Sequence, residues 1–222
     1  MNYVIVDFEM NSIAEEHVQE RETCKLEIIE IGAVIMDESF MVLGEFKTLV
    51  KPQYNEHIYK RYEKLTGITT DMVSGAPTFV TAYEMFVNWC ESYEGEYAVY
   101  AWSENDYNQL TAEMKLKHYE REDKMGPLKR WNDYQKEFTK RLKLGKIVSL
   151  EKALIYANLG FEGQMHDALW DAKNTAKLMA VMSNEERFKV ILRTARELMK
   201  PQVMTSMLGD MFDFGALMGQ TA

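Results

Sequence analysis

Two carboxylates end the first apolar run of the chain, Tyr3-Val4-Ile5-Val6-Asp7-Phe8-Glu9. Because side chains on a β-strand point in the same direction at every second residue, Asp7 and Glu9 face the same way. Two like charges on one buried face repel each other unless a cation lies between them. Carboxylate oxygens suit Mg²⁺ or Mn²⁺, so the pair indicates a metal site. The alternative is a strand that ends in acids exposed to solvent.

A third carboxylate follows a later apolar run over 97–102. The spacing places Asp106 at the mouth of the predicted sheet or on the first turn of the next helix. The structural alternative is a helix cap, which needs no chemistry. Glu104 is an alternative acid for the same role.

His166 and Asp171 are the next candidates, and they stand five residues apart. Five residues of a regular helix turn the side-chain direction by about 140° from the start, so the two would not share one helix face. We therefore expect His166 just before a helix and Asp171 in its early turns, from where both can reach one site. Asp167 competes with Asp171 for the acidic role. The alternative for His166 is a capping or core histidine.

The elements that must position these residues follow from the apolar patterns. Three strands are predicted over 3–9, 27–36 and 40–50, the last two joined in a hairpin by a turn at 37–39. Two further strands are predicted over 97–102 and 130–133, and helices over 79–90, 150–159, 167–182 and 184–200, with a short helix ending near Gly67. Polar residues from Asn11 to Lys25 predict a loop or lid beside the carboxylates. The pattern predicts an α/β fold with acids gathered at strand ends.

Composition predicts a globular protein of the reducing cytoplasm. The 222 residues, of which 46% are hydrophobic, suffice for one sizeable core. We expect no signal peptide, because Asp7 and Glu9 interrupt the N-terminal apolar run, and no membrane association, because no apolar stretch approaches about 20 residues. Cys24 and Cys90 form neither a disulfide framework nor a zinc motif.

The charge is unevenly distributed along the chain. The net charge is −9, but the segment from Lys115 to Lys146 holds eleven basic and five acidic residues, which gives it +6 and leaves −15 for the rest. Such a segment can form a local phosphate-binding patch. The alternative is a solvated helical region of mixed charge.

Taken together, Asp7-Phe8-Glu9, Asp106 and His166-x4-Asp171 resemble the DnaQ-like 3′–5′ exonucleases of the type named DEDDh after these five residues. The resemblance extends over about 3–182 and includes Glu30-Ile31-Gly32-Ala33, Leu65-Thr66-Gly67-Ile68 and Asp171-Ala172-x-Asn174-x-Ala176-x-Leu178. Asp-Phe-Glu at the first motif, Trp102 and Phe161-Glu162-Gly163 are similar to the enhanced-RNAi exoribonuclease branch, with its KinA-pathway-inhibitor-like members. Met10-Asn11 departs from the family pattern, which has small or hydroxyl residues there.

The resemblance implies an RNase H-like mixed five-stranded sheet, three antiparallel strands followed by two parallel ones, flanked by helices. It implies an exonuclease domain over 1–182, followed by an amphipathic helix and a methionine-rich tail over 183–222. Two Mg²⁺ or Mn²⁺ ions would be held by Asp7, Glu9, Asp106 and Asp171, with His166 as general base. An imidazole suits that role because it is largely neutral near pH 7.

The implied substrate is the 3′ end of single-stranded RNA or DNA, with RNA favoured, and the product is a nucleoside 5′-monophosphate. Phe8, Met10 and Ile68 lie in the stretches where a terminal nucleotide would make apolar contacts. Two alternatives stay open: a module that binds an RNA end or a protein without cutting, and an endonuclease on the same fold. The tail methionines Met204, Met207, Met211 and Met218 predict adaptable partner binding or packing on the same domain.

Overall fold

The computed structural model describes residues 1–199 of the chain and contains a mixed five-stranded sheet. Its strands are β1 (Asn2–Ser12), β2 (Leu26–Met36), β3 (Val42–Leu49), β4 (Tyr97–Ala101) and β5 (Trp131–Asp133). The strand order is β3-β2-β1-β4-β5. The first three strands pair antiparallel, whereas β4 pairs parallel with both β1 and β5. The predicted α/β sheet is therefore confirmed.

Ten α-helices lie in the described part of the chain, and a 3-10 turn spans Glu122–Lys124. The helices are α1 (Val18–Thr23), α2 (Lys60–Thr66), α3 (Thr70–Ser74), α4 (Phe79–Glu91), α5 (Glu104–Leu116), α6 (Gly126–Lys129), α7 (Tyr134–Arg141), α8 (Leu150–Tyr156), α9 (Ala168–Ser183) and α10 (Glu185–Leu198). Gly67 ends α2 in the left-handed conformation with φ 78°, as predicted from its position.

Alternate residues of β1 supply two hydrophobic cores, one on each face of the sheet. Val4, Val6 and Phe8 pack with the buried stripe of α4, which includes Phe79 and Tyr83. Ile5 faces the other way, into a core built largely from α7, α8, α9 and α10. Asp7 and Glu9 follow Ile5 in the two-residue repeat, so they share its side of the sheet.

The start of the predicted lid is wrong. Asn11 and Ser12 belong to β1, and Asn11 is fully buried because its amide binds the backbone of His57 and Tyr59. Cys24, near the other end of the segment, is also buried, and α1 lies between. Only the turn after β1 and α1 are left as a lid, and that role stays a prediction.

Two helix predictions need correction near their ends. The helix predicted over 150–159 stops at Tyr156, and Asn158 adopts the left-handed conformation with φ 53°. In α10, Ile191 and Ala195 are buried as predicted, but Leu198 is 58% exposed and Met199 is also exposed. The buried stripe of α10 thus ends before its last turn.

The predicted methionine-rich tail, with Met204, Met207, Met211 and Met218, lies outside the described residues, and the domain division at 182 stays a prediction.

Five of the eleven basic residues of the predicted basic segment are paired with acids. Lys117 is buried between Glu27 and Glu113, with Nζ–O distances of 3.0 and 2.7 Å. Further ion pairs are Arg121–Glu84, Arg121–Asp123, Lys124–Glu91, Lys129–Glu122 and Lys136–Glu104. For these five residues the pairs favour the mixed-charge interpretation, and the phosphate-binding patch stays a prediction for the rest of the segment. Within residues 1–199, no helix combines the length and apolar composition that crossing a membrane requires.

Candidate active site

The sheet register places the first two carboxylates on the central strand of the sheet. On β1, Asp7 lies opposite Gly32 and Glu9 opposite Glu30 of β2. The register shifts directly after Glu9, and such an irregularity bends a strand and redirects its side chains. Glu9 is only 7% exposed and Asp7 is half-buried. Both carboxylates therefore lie in a region of low water access beside the helices of that face.

The third carboxylate comes from the first turn of α5, as predicted. Ser103 caps this helix by accepting a hydrogen bond from the Asn105 backbone. Asp106 is 6% exposed, and its Oδ1 accepts a hydrogen bond from the Phe8 backbone N–H at 3.2 Å. It therefore points at β1 between the two other acids. Glu104 is exposed instead and binds Lys136 at 2.6 Å, so the geometry favours Asp106 over Glu104.

The N-terminus of α9 brings in the histidine and the fourth acid. Asp167 caps α9 by accepting a hydrogen bond from the Trp170 backbone, and it also binds Lys47. Asp171 lies in the first turn, where its Oδ2 accepts a hydrogen bond from the His166 backbone N–H at 2.9 Å. The structure thus separates the two acids, giving Asp167 a cap and an ion pair and placing Asp171 at the site.

The loop before α9 is held in a defined conformation. His166 adopts the left-handed region with φ 61°. Gly163 also has positive φ, and a Cβ there would lie 2.0 Å from the Trp170 ring, so only glycine fits. The Asn174 side chain accepts from the Glu162 backbone N–H and donates to its carbonyl, which ties the loop to α9. This fixes the approach of His166 to the carboxylates.

Three of the predicted residues are close enough to share one ion. Glu9, His166 and Asp171 each offer a ligand atom, and these atoms lie within 4.8 Å of one another. Carboxylate oxygens with one imidazole nitrogen form a donor set that divalent cations accept. The residues present therefore fit a divalent metal.

The electrostatics of the site point the same way. Burial, then the charges of neighbouring acids, raise the pKa of Asp7 well above its ordinary value and that of Glu9 to about 8. Burial raises the pKa of Asp106 to about 7, against the hydrogen bond from Phe8. Burial likewise raises the pKa of Asp171 to about 6, although the His166 backbone hydrogen bond lowers it. The raised pKa values show that the four carboxylates are poorly stabilised in their charged forms. A bound cation would stabilise those charged forms.

The predicted substrate contacts are placed less favourably. Phe8 and Ile68 are each 3% exposed, so neither ring nor side chain lies on a surface where a base could stack. Phe8 packs against Trp131 at a ring-centroid distance of 6.1 Å, and Ile68 belongs to a small core with Ile29. Both side chains therefore occupy core positions, and their contact with a nucleotide stays a prediction. Met10 is half-buried, and its contact with a nucleotide stays a prediction.

Sequence reasoning missed several residues beside the site. Lys47 binds Glu30 and Asp167, which flank the carboxylates. Asp133, at the end of β5, is close enough to raise the pKa of Asp106. Glu30 could have been found, because it begins the Glu30-Ile31-Gly32-Ala33 motif. For Lys47 there was no local signal, since its partner Asp167 lies 120 residues away.

Comparison with known proteins finds a family match that begins in β1 and ends in α9. The model of the exonuclease family RNase_T matches residues 4–179. ERI1 exoribonuclease 2 of Danio rerio is 29% identical over 202 residues, which cover 82% of this chain and 35% of that protein. The chain thus spans about a third of the length of that relative.

Two solved structures resemble the whole sheet with its helices. Cell-death related nuclease 4 is 26% identical with a TM-score of 0.66, over 82% of this chain and 64% of that one. The nuclease domain of 3′hExo, a DEDDh family member solved with bound rAMP, is 22% identical with a TM-score of 0.69, over 82% and 91% of the two chains. These likenesses confirm the RNase H-like fold class.

Proposed function

Because the chain belongs to the exonuclease family whose model matches residues 4–179, we propose that it is a metal-dependent 3′–5′ exonuclease of single-stranded nucleic acid. The match to this family confirms the resemblance to DnaQ-like exonucleases of the DEDDh type. The zebrafish relative supports the enhanced-RNAi exoribonuclease branch. One observation supports the activity above others: Glu9, His166 and Asp171 converge on one point beside Asp7 and Asp106.

Two Mg²⁺ or Mn²⁺ ions are the proposed cofactors, with Asp7, Glu9, Asp106 and Asp171 as their ligands. When bound, they would neutralise the carboxylates and stabilise the charge that develops on the attacking and leaving oxygens. The raised pKa values of these acids support this assignment, because the charged forms lack compensation by the protein alone.

His166 is the proposed general base. It is exposed at the mouth of the site, and its backbone N–H fixes it to Asp171. Within residues 1–199 its ring atoms form no hydrogen bond, which leaves an imidazole nitrogen free to accept a proton from the attacking water. Attack of that water at the last phosphodiester breaks the P–O3′ bond. The products are a nucleoside 5′-monophosphate and a strand shortened by one nucleotide, with a free 3′ hydroxyl.

RNA is the favoured substrate, with DNA as the second. The zebrafish relative is called an exoribonuclease, and the 3′hExo nuclease domain was solved with rAMP, which supports a ribonucleotide at the 3′ end. A single strand is favoured because a terminal base that is not paired can enter a cleft without the cost of melting a duplex.

The test is hydrolysis of RNA and DNA strands of one sequence, labelled at the 3′ or the 5′ end, with Mg²⁺, Mn²⁺ or EDTA. We expect stepwise release of mononucleotides from the 3′ end that needs metal. Asp7→Asn removes one site charge and should lower the rate at least about 100-fold, as losses of catalytic electrostatics do. Asp71→Asn changes an exposed acid of α3 and should leave the rate unchanged.

Other outcomes separate the competing functions. Cleavage of a circular RNA would identify an endonuclease. Metal binding by calorimetry and strand binding without any cleavage would identify a non-catalytic binding module. Release of mononucleotides from the 5′ end, or equal activity of Asp7→Asn and wild type, would contradict the proposal directly.

A further inference from the structure

Lys47 on β3 joins the sheet to the N-terminus of α9 through two acids. Its Nζ lies 3.1 Å from Glu30 Oε1 and 2.5 Å from Asp167 Oδ2. We propose that Lys47 is a positioning residue, which sets the place of His166 and Asp171 relative to the carboxylates of β1. This role deepens the proposed function and rests on it.

The sheet register explains why α9 can lie so close. Lys47, Gly32 and Asp7 are successive cross-strand partners on β3, β2 and β1. A Cβ at Gly32 would lie 2.1 Å from the Leu169 backbone nitrogen and 2.2 Å from the Ala168 carbonyl carbon. The missing side chain therefore admits the first turn of α9 directly onto β2. Lys47 flanks that turn on one side and Asp7 flanks it on the other.

Glu30 of β2 contacts both Lys47 and the first turn of α9. Its Oε2 accepts a hydrogen bond from the Ala168 backbone N–H at 2.9 Å, and its Oε1 contacts Lys47. The Glu30 side chain is 3% exposed, so an unpaired charge there would be costly. Lys47 supplies that charge compensation, and its pairing with Asp167 extends the attachment to the helix cap.

Asp167 lies close in the chain to His166 and Asp171, so its ion pair with Lys47 affects the position of both residues. Asp167 directly follows His166, and the Asp171 backbone N–H donates to the Asp167 carbonyl in the first helical hydrogen bond. A shift of Asp167 therefore moves both residues. Misplacement of reacting groups by about 1 Å can cost on the order of 100-fold in rate.

The chain offers a matched control in Lys173, which also joins α9 to β3. Lys173 lies on α9 and binds Glu45 of β3 at 2.7 Å, and its side chain is 32% exposed against 37% for Lys47. Loss of either lysine removes one helix-to-sheet ion pair, and loss of Lys47 also removes its pair with Glu30. Only Lys47 acts on the residue next to His166.

The experiment compares Lys47→Met, Lys47→Arg and Lys173→Met with wild type on single-stranded RNA in saturating Mg²⁺. For Lys47→Met we expect kcat to fall about 10–100-fold, as for other groups that orient metal ligands, with little change in KM. Lys47→Arg keeps the charge and should regain most of the kcat. Lys173→Met should stay close to wild type in both constants.

A second readout needs no substrate. Hydrogen exchange of the amides from His166 to Asp171 should be faster in Lys47→Met than in wild type and unchanged in Lys173→Met. If Lys47→Met does not fold, Asp167→Asn replaces it, because the amide oxygen can still accept from the Trp170 backbone N–H but the side chain no longer forms an ion pair with Lys47.

The two readouts separate failure of the role from failure of the activity. Faster exchange in a protein that shows no exonuclease activity would keep the positioning role and remove the proposed function. A wild-type kcat with unchanged exchange in Lys47→Met would overturn the positioning role and leave the exonuclease intact. Equal losses of kcat in Lys47→Met and Lys173→Met would also overturn it.

Discussion

At the scale of single residues, His166 can be tested without disturbing the fold. Its φ of 61° disfavours alanine, whereas asparagine tolerates this region, so His166→Asn is the informative change. We expect the rate of hydrolysis to fall on the order of 10²–10⁴-fold, because the general base is lost. Denaturation should resemble wild type, and Mg²⁺ should still bind, because the proposed ligands are the four carboxylates and not the imidazole.

The control for that variant is His57→Asn, which changes an exposed histidine with only backbone hydrogen bonds in the described structure. It should hydrolyse RNA at the wild-type rate. Unchanged turnover in His166→Asn would remove His166 from the mechanism.

How much of the site could be predicted from sequence depended on spacing. The two-residue repeat of a strand predicted that Asp7 and Glu9 face one way, and helical geometry predicted His166 before α9 with Asp171 inside it. Spacing did not decide whether Glu104 or Asp106 supplies the third carboxylate. That choice depends on a hydrogen bond from the Phe8 backbone, which forms only in the folded protein. Lys47 was missed because its contacts are formed by distant parts of the chain.

At the scale of elements, the contact between β2 and α9 makes a prediction about Gly32. Gly32→Ala places a methyl group against the backbone of Ala168 and Leu169. Backbone atoms cannot move aside as the end of a flexible side chain can. We expect the free energy of unfolding to fall by at least about 1–3 kcal/mol, the usual cost of overpacking. Displacement of α9 should also lower the rate of hydrolysis. Urea denaturation and the RNA assay measure the two effects.

Gly75→Ala is the matched control for this change. A Cβ at Gly75 meets nothing within 4 Å, and its φ of −99° is ordinary for alanine. Its stability should therefore match wild type. If Gly32→Ala were as stable and active as Gly75→Ala, the close packing of α9 on β2 would be contradicted.

Element predictions succeeded where a long apolar pattern was present and failed near the ends of elements. The stripe of α4 and the hairpin of β2 and β3 were read correctly, because each buries one regular face. The extension of β1 through Ser12 was missed, since Asn11 looks like a loop residue until its amide finds backbone partners at His57 and Tyr59. Polar residues that are buried by distant hydrogen bonds give no sign of this in their local sequence.

At the scale of the whole molecule, the acidic site makes stability depend on pH. The pKa values of Glu9, Asp106 and Asp171 are raised to about 8, 7 and 6, and burial and neighbouring acids raise that of Asp7 as well. In the unfolded chain such groups ionise near pH 4. The folded state therefore holds more protons between about pH 4 and 8, and its stability falls as pH rises through this range.

We accordingly expect the melting temperature in EDTA to be lower at pH 8 than at pH 5. A loss of about 2 kcal/mol corresponds to about 4–8 °C for a protein of this size. Mg²⁺ should raise the melting temperature more at pH 8 than at pH 6, because cations bind the ionised carboxylates. Glu9→Gln should flatten the dependence between pH 6 and 8. A melting temperature in EDTA that rises from pH 5 to 8 would contradict this picture.

The order in which the site residues occur along the chain has a consequence for biosynthesis. Asp7 lies on the central strand, but Asp171 follows it by 171 − 7 = 164 residues, and the parallel pairing of β1 needs β4 in between. Protein chains fold progressively as they leave the ribosome. A nascent chain therefore lacks the last acid and the histidine until translation has passed Asp171. On this basis, the proposed hydrolysis of nucleic acid could not begin at the ribosome before that point.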